Sequence, residues 1–215
     1  IGKKRYYFDM DGILQTGTVI IDKKTYELDT DGSLKGYTPK KKSSKKKSSD
    51  KSATSDKSGT STAKKSVALT FDDGPSSFTD RLLDCLEENN AKATFFMVGT
   101  EIASFPDEVK RMKKLGCELG NHTYDHKDLA TLSSDEISSE IARVDEQLVN
   151  LTGEGASVVR PPYGSVNDTV KSTVGTPMIL WSIDTLDWKT QDVESTVEEV
   201  MNNVKDGSII LMHDI

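Results

Sequence analysis

From Ser66 onward, short apolar runs alternate with amphipathic stretches, and this pattern carries most of the structural information in the chain. The runs at 66–71, 93–98, 117–120, 158–160, 178–183 and 208–213 are too short for helices and predict six strands. Helices are predicted between them. One covers about 78–89, with Leu82, Leu83 and Leu86 on its apolar side. Another opens at Pro106, a favoured first-turn residue, and stops at Gly116. A long helix begins at the capping box Ser133 to Glu136, and Gly153 ends it. Its residues Ile137, Ile141, Val144, Leu148 and Leu151 form one core-facing stripe. Two more helices are predicted over about 167–174 and 192–204. Strand and helix in alternation predict an α/β fold with a parallel sheet, either a β/α barrel or a doubly wound sheet.

The first 65 residues read differently. Tyr6, Asp9, Asp11, Gly12 and Leu14 recur as Tyr26, Asp29, Asp31, Gly32 and Leu34, and Phe8 is answered by Leu28. A 20-residue shift with one Asp-x-Asp-Gly turn per unit predicts short β-hairpin repeats over 1–38. Residues 39–65 contain no aromatic and no large aliphatic side chain, so they predict a disordered, Lys/Ser-rich linker. Residues 66–215 are then the main domain.

Charge separates these parts further. Residues 40–65 hold ten lysines against two aspartates, a net of +8, whereas 66–215 hold 12 basic and 27 acidic residues, a net of −15. An acidic main domain argues against nucleic acid as its substrate, because its net charge would repel phosphates. No run of about 18 apolar residues occurs, so no membrane-spanning segment is predicted. Cys85 and Cys117 lie in apolar segments and predict two buried free thiols, with a single disulfide as the alternative.

The residues with candidate chemistry share one location. Asp72 and Asp73, His122, Arg160, Asp184 and Asp187, and His213 each sit at or just beyond the carboxyl end of a predicted strand, where parallel α/β folds build active sites. His122 and His126 are four residues apart, and on a helical turn that spacing brings both imidazoles to one metal ion. A catalytic zinc takes three protein ligands. Asp73 or Asp72 would supply the third, and the other would act as the base for the hydrolytic water. Arg160 would orient that base through a bidentate pair. His213 would be the acid for the leaving group, kept protonated by Asp187. Asp125 projects about 100° from His126 on a helical turn and reads as solvent-facing.

Five segments carry a resemblance. TFDDG (70–74), HTYDH (122–126), RPPYG (160–164), DTLDW (184–188) and LMH (211–213) are similar, in order and spacing, to the motifs of the polysaccharide deacetylases, carbohydrate esterase family 4 with its NodB-like domain. The resemblance covers 66–215 and implies a distorted parallel (β/α) barrel. It implies Asp72 as catalytic base, with Asp73, His122 and His126 as metal ligands. Arg160 would orient Asp72, and the Tyr163 backbone amide would stabilise the oxyanion. Trp181 and Leu211 would wall the acetyl methyl, and His213 would be the general acid with Asp187 supporting its charge. The implied cofactor is a divalent metal, Zn2+ first, with Co2+ or Ni2+ also suited to the donors. The family's domain continues past this histidine with another helix and strand, so the resemblance implies a C-terminally incomplete catalytic domain.

Residues 2–17 and 22–36 in turn resemble the cell-wall-binding, choline-binding-like repeats of Gram-positive surface proteins. Together the resemblances imply an extracellular, wall-associated hydrolase that removes N-acetyl groups from N-acetylglucosamine units of peptidoglycan. A chitin, chitooligosaccharide or acetylxylan deacetylase and a non-catalytic wall-binding protein are the alternatives.

Overall fold

The computed structural model describes residues 16–21, 24–30, 34–35 and 65–215. Tyr6, Phe8, Asp9, Asp11, Gly12 and Leu14 of the expected first repeat lie outside the described residues, as do Asp31, Gly32 and the expected linker up to residue 64. In the N-terminal unit, β1 (Gly17–Ile21) and β2 (Lys24–Leu28) pair antiparallel, with Gly17 opposite Leu28 and Ile21 opposite Lys24. An isolated bridge joins Leu28 to Leu34, and the Lys35 amide donates to the Glu27 carbonyl at 2.8 Å. The β-branched Thr18 and Val19 suit this extended backbone.

The second unit runs in order through β3 (Ala68–Asp72), α1 (Thr79–Glu88), β4 (Ala93–Met97), α2 (Gly99–Ile102), α3 (Pro106–Leu115), β5 (Glu118–Asn121), α4 (Ser134–Thr152) and β6 (Val158–Val159). It continues through α5 (Asp168–Thr173), β7 (Ile183–Asp184), α6 (Asp187–Thr190), α7 (Val193–Asn203) and β8 (Ile209–His213). The sheet has the order β6-β5-β4-β3-β8-β7, and every ladder in it is parallel.

The expected strand over 178–183 is regular only at its end, and the reason lies in its task. Met178 bridges to Val159 of β6 at one edge of the sheet, while Ile183 pairs with Ile210 of β8 at the other. The Val159 amide donates to the Pro177 carbonyl, the Ile179 amide to the Val159 carbonyl and the Ser182 amide to the Ile209 carbonyl, each at 2.9 Å. One segment therefore pairs with both edges and closes the sheet into a distorted barrel, which removes the edges. Between its two anchorages it leaves the ladder. There the carbonyls of Ile179 and Leu180 accept from Nε and an Nη of Arg160 at 3.0 Å each.

Local signals fix the helices. Ser133 and Glu136 form the reciprocal capping box of α4, and Gly153 ends that helix in the left-handed region at φ 82°. Pro106 opens α3 and Gly116 closes it at φ 76°. Ile137, Val144 and Leu148 of α4 are fully buried. Val144 and Leu148 pack with Leu83, Leu86, Val109 and Met112 from α1 and α3 over Phe71, Phe95 and Leu119 of the sheet. Phe71 and Phe95 stack at 5.5 Å between ring centroids. Cys117 is a buried free thiol as expected, but Cys85 is exposed, because it lies on the outward side of α1 beside Leu86. No helix among the described residues is long and apolar enough to cross a membrane.

Candidate functional site

The carboxyl ends of β3, β5, β6 and β8 open onto one pocket of about 400 Å³. Asp73 follows β3 with its backbone at φ 73°, so Asp72 and Asp73 turn different sides toward this space. His122 follows β5 and is buried. Its Nδ1 lies 2.6 Å from the Arg160 carbonyl oxygen. A carbonyl only accepts, so Nδ1 carries the hydrogen and Nε2 presents a lone pair. That Nε2 lies 3.4 Å from Asp73 Oδ1, and His126 Nε2 lies 3.2 Å from the same oxygen.

These three donors lie within 4.8 Å of one another, and Asp73 Oδ1 is buried without a hydrogen-bond partner. An orphaned anionic oxygen facing an imidazole lone pair calls for a cation. Two ligands about 2.1 Å from a tetrahedral ion stand about 3.4 Å apart, which matches both separations. Burial also pushes the His122 pKa down, outweighing the nearby Asp73 charge, and keeps the ring neutral as a ligand must be. Asp73, His122 and His126 therefore fit a divalent metal.

The helical turn expected for the histidine pair is absent. Residues 122–128 form an irregular loop in which Thr123 and His126 take φ 67° and 52°. The rings converge, at 4.9 Å between centroids, because a folded loop brings them together. Asp125 stands outside the donor set, paired with Lys127 at 2.8 Å.

Asp72 is buried at the floor of the pocket. Its Oδ1 accepts from an Nη of Arg160 at 2.6 Å and its Oδ2 lies 3.6 Å from His122 Nε2. Burial raises its pKa to about 6, against the attraction of Arg160. The expected bidentate pair is a single contact. Arg160 is wholly buried; the Nη that meets Asp72 also donates to Thr70 Oγ1 at 2.8 Å, while Nε and the other Nη turn to the closing-segment carbonyls, so the carboxylate meets the guanidinium through one nitrogen. The guanidinium also lies 4.0 Å from the Phe96 ring centroid.

Across the pocket, His213 Nδ1 donates to Asp187 Oδ1 at 2.7 Å, and Asp187 Oδ2 accepts the His213 backbone amide at 2.8 Å. His213 Nε2 is left facing Asp73 Oδ2 at 4.0 Å. Burial alone would lower the His213 pKa, but the bond and charge of Asp187, with Asp73 and Asp72, raise it above the ordinary value. Tyr163, Trp181, Asp184, Trp188 and Leu211 complete the lining. Tyr163 takes a left-handed turn at φ 62°, and its exposed ring meets His126 edge-on at 4.9 Å.

Three supporting residues escaped the reading of the sequence. Asp214 is buried behind the Asp72-Asp73 turn, where its Oδ2 accepts from Thr79 Oγ1 at 2.6 Å and burial raises its pKa to about 7. Its signal was an acid directly after the final apolar strand. Asn121 is fully buried; its Oδ1 accepts the Thr123 amide at 2.9 Å and its amide group donates to the Ile141 carbonyl at 2.9 Å. Glu140, buried on α4, accepts the amides of Tyr124 and Asp125. It stands three residues after Ile137 and four before Val144, so an acid on the core-facing side of the stripe was the available signal.

Comparison with known proteins decides the family. The family model described as "Polysaccharide deacetylase" matches residues 59–176, more than half of the chain. The chain belongs to the polysaccharide deacetylase family. Among relatives of this deacetylase domain, the peptidoglycan-N-acetylglucosamine deacetylase PgdA of Listeria monocytogenes serotype 1/2a (strain 10403S) is 42% identical over 152 residues, covering 70% of this chain and 33% of the relative. The peptidoglycan-N-acetylmuramic acid deacetylase PdaC of Bacillus subtilis (strain 168) is 39% identical over 153 residues, covering 71% and 33%. The solved structure of peptidoglycan deacetylase PdaC from Bacillus subtilis superposes with a TM-score of 0.68 at 39% identity, covering 70% of this chain and 75% of that chain. The deacetylase region thus spans one third of the length of these two curated relatives.

Proposed function

We propose that this chain is a metal-dependent hydrolase that removes N-acetyl groups from N-acetylglucosamine units of a polysaccharide, namely peptidoglycan. The observation that carries the reading is the orphaned Asp73 Oδ1 facing His122 and His126, with the Asp72-Arg160 pair on one side and the His213-Asp187 pair on the other. Family membership and relatives named as peptidoglycan deacetylases support the chemistry and the substrate class.

Asp73, His122 and His126 would hold the divalent cation, Zn2+ by first choice and Co2+ or Ni2+ as substitutes. When bound, such an ion polarises a carbonyl oxygen and acidifies a water molecule. Asp72 takes the proton as water adds to the acetyl carbonyl carbon, and Arg160 fixes the direction of the accepting oxygen. The left-handed turn at Tyr163 offers its backbone amide to the developing oxyanion. Trp181 and Leu211 form the apolar wall for the methyl group. The C–N bond breaks as His213 passes its Nε2 proton to the amine, with Asp187 holding the imidazolium in place. The products are acetate and a free amino sugar.

The repeat-like residues 1–38 and the basic stretch 39–65 support an extracellular, wall-associated location, with lysines suited to anionic wall polymers. The test is acetate release from N-acetylglucosamine oligomers and purified peptidoglycan, with and without a chelator. Release should stop on metal removal and return with Zn2+. Turnover that survives complete metal removal refutes the mechanism, and wall binding without any release points to a non-catalytic binding protein.

A further inference from the structure

The loop from His122 to His126 supplies two of the three metal donors, yet it has no regular structure and places two non-glycine residues at positive φ. Its shape is therefore imposed from outside. On one side, the Gly99 and Thr100 amides of α2 donate to the Thr123 and Tyr124 carbonyls at 3.0 and 3.1 Å. A Cβ at Gly99 would strike Tyr124, so this approach needs glycine. On the other side stands Glu140, at 4% exposure on α4. Its Oε2 accepts the Tyr124 amide at 3.0 Å and the Asp125 amide at 2.8 Å, while its Oε1 pairs with Lys127 Nζ at 2.9 Å. These contacts flank His126 on both sides along the chain. Arg143, also on α4, lays its guanidinium over the Tyr124 ring at 3.2 Å.

We propose that Glu140 is a positioning residue for the metal centre, fixing His126 against Asp73 by accepting the two loop amides and thereby setting the affinity for a divalent cation. The inference rests on the metal-site reading given above. It extends that reading to a residue 14 positions beyond His126 in sequence, on a different element. Charge is secondary here. Lys127 keeps a second partner in Asp125, whereas the two amides share this single carboxylate oxygen. An outer partner that fixes a ligand's orientation is typically worth on the order of 10- to 100-fold in metal affinity.

The experiment measures Zn2+ affinity of the full chain by competition with a chromophoric chelator, together with the Co2+ absorption spectrum. Glu140→Ala should weaken Zn2+ binding by about 10- to 100-fold and alter the Co2+ bands. Glu140→Gln, whose carbonyl oxygen still accepts both amides, should bind like the parent. A purely structural role would lower the melting temperature and leave the Zn2+ dissociation constant unmoved. Should Glu140→Ala fail to fold, Glu140→Asp, one methylene too short to reach both amides, carries the same expectation. A folded Ala or Asp variant that binds Zn2+ as tightly as the parent overturns the inference and leaves the metal reading standing. A parent that binds no Zn2+ overturns both.

Discussion

Replacing Asp72 by Asn separates chemistry from stability at this site. The substitution keeps the shape and an oxygen for Arg160, at 2.6 Å in the parent, but removes the proton acceptor. Loss of a general base costs about 100- to 10,000-fold in rate, or about 3 to 5 kcal/mol at 1.36 kcal/mol per tenfold. Stability should move the other way. With Arg160 already beside it, the Asp72 pKa is raised from 3.8 to about 6, so ionising it in the folded chain costs about 3 kcal/mol. The sign comes from linkage. The folded state holds the proton more tightly, so this destabilisation is absent below pH 3.8, grows as pH rises to about 6, and persists in full above it. Metal-free Asp72→Asn should therefore match or exceed the stability of the metal-free parent at pH 7, and the difference should vanish near pH 4. Urea denaturation at both pH values reads the stability, acetate release reads the rate, and chelator competition reads Zn2+ binding. A variant that keeps more than about a tenth of the parent rate, or that loses Zn2+ binding, refutes the assignment of roles to Asp72 and Asp73.

Asp187→Asn should move the alkaline limb of the pH–rate profile to lower pH. His213 acts protonated, and the Asp187 bond and charge are the leading forces that hold its pKa above the ordinary value against burial. An unmoved limb would remove Asp187 from that role. Gly74→Ala should destabilise the fold by about 1 to 3 kcal/mol in denaturant titrations, because a Cβ there would land inside the Asp214 carboxyl group. Unchanged stability would mean that the turn carrying Asp72 and Asp73 yields freely.

Much of the fold was legible because strands and helices announce themselves locally. The α4 stripe and its caps, and Pro106 with Gly116 around α3, needed only neighbours in sequence. The convergence of Asp72, Asp73, His122, Arg160, Asp187 and His213 was legible because parallel strands deliver the residues at their carboxyl ends to one rim. The local shape of the histidine loop was not. Spacing of four suggested a helix, whereas contacts from Asn121, Glu140 and α2 bend the chain instead. The fifth strand misled for a related reason. Its apolar residues fit a strand, but pairing with both edges of the sheet leaves only its end regular. Nε and one Nη of Arg160 turn to that segment, and the other Nη meets Asp72.

Position 160 serves two neighbours through different parts of one residue: its guanidinium grips Asp72, and its main-chain oxygen holds the ring of His122. Every amino acid carries that second group. On the proposed roles, exchanging this arginine would take away the partner of Asp72 while the oxygen that orients His122 stays in place, so turnover should suffer before ion binding does. Bound metal would then be a poor guide to turnover in variants at position 160.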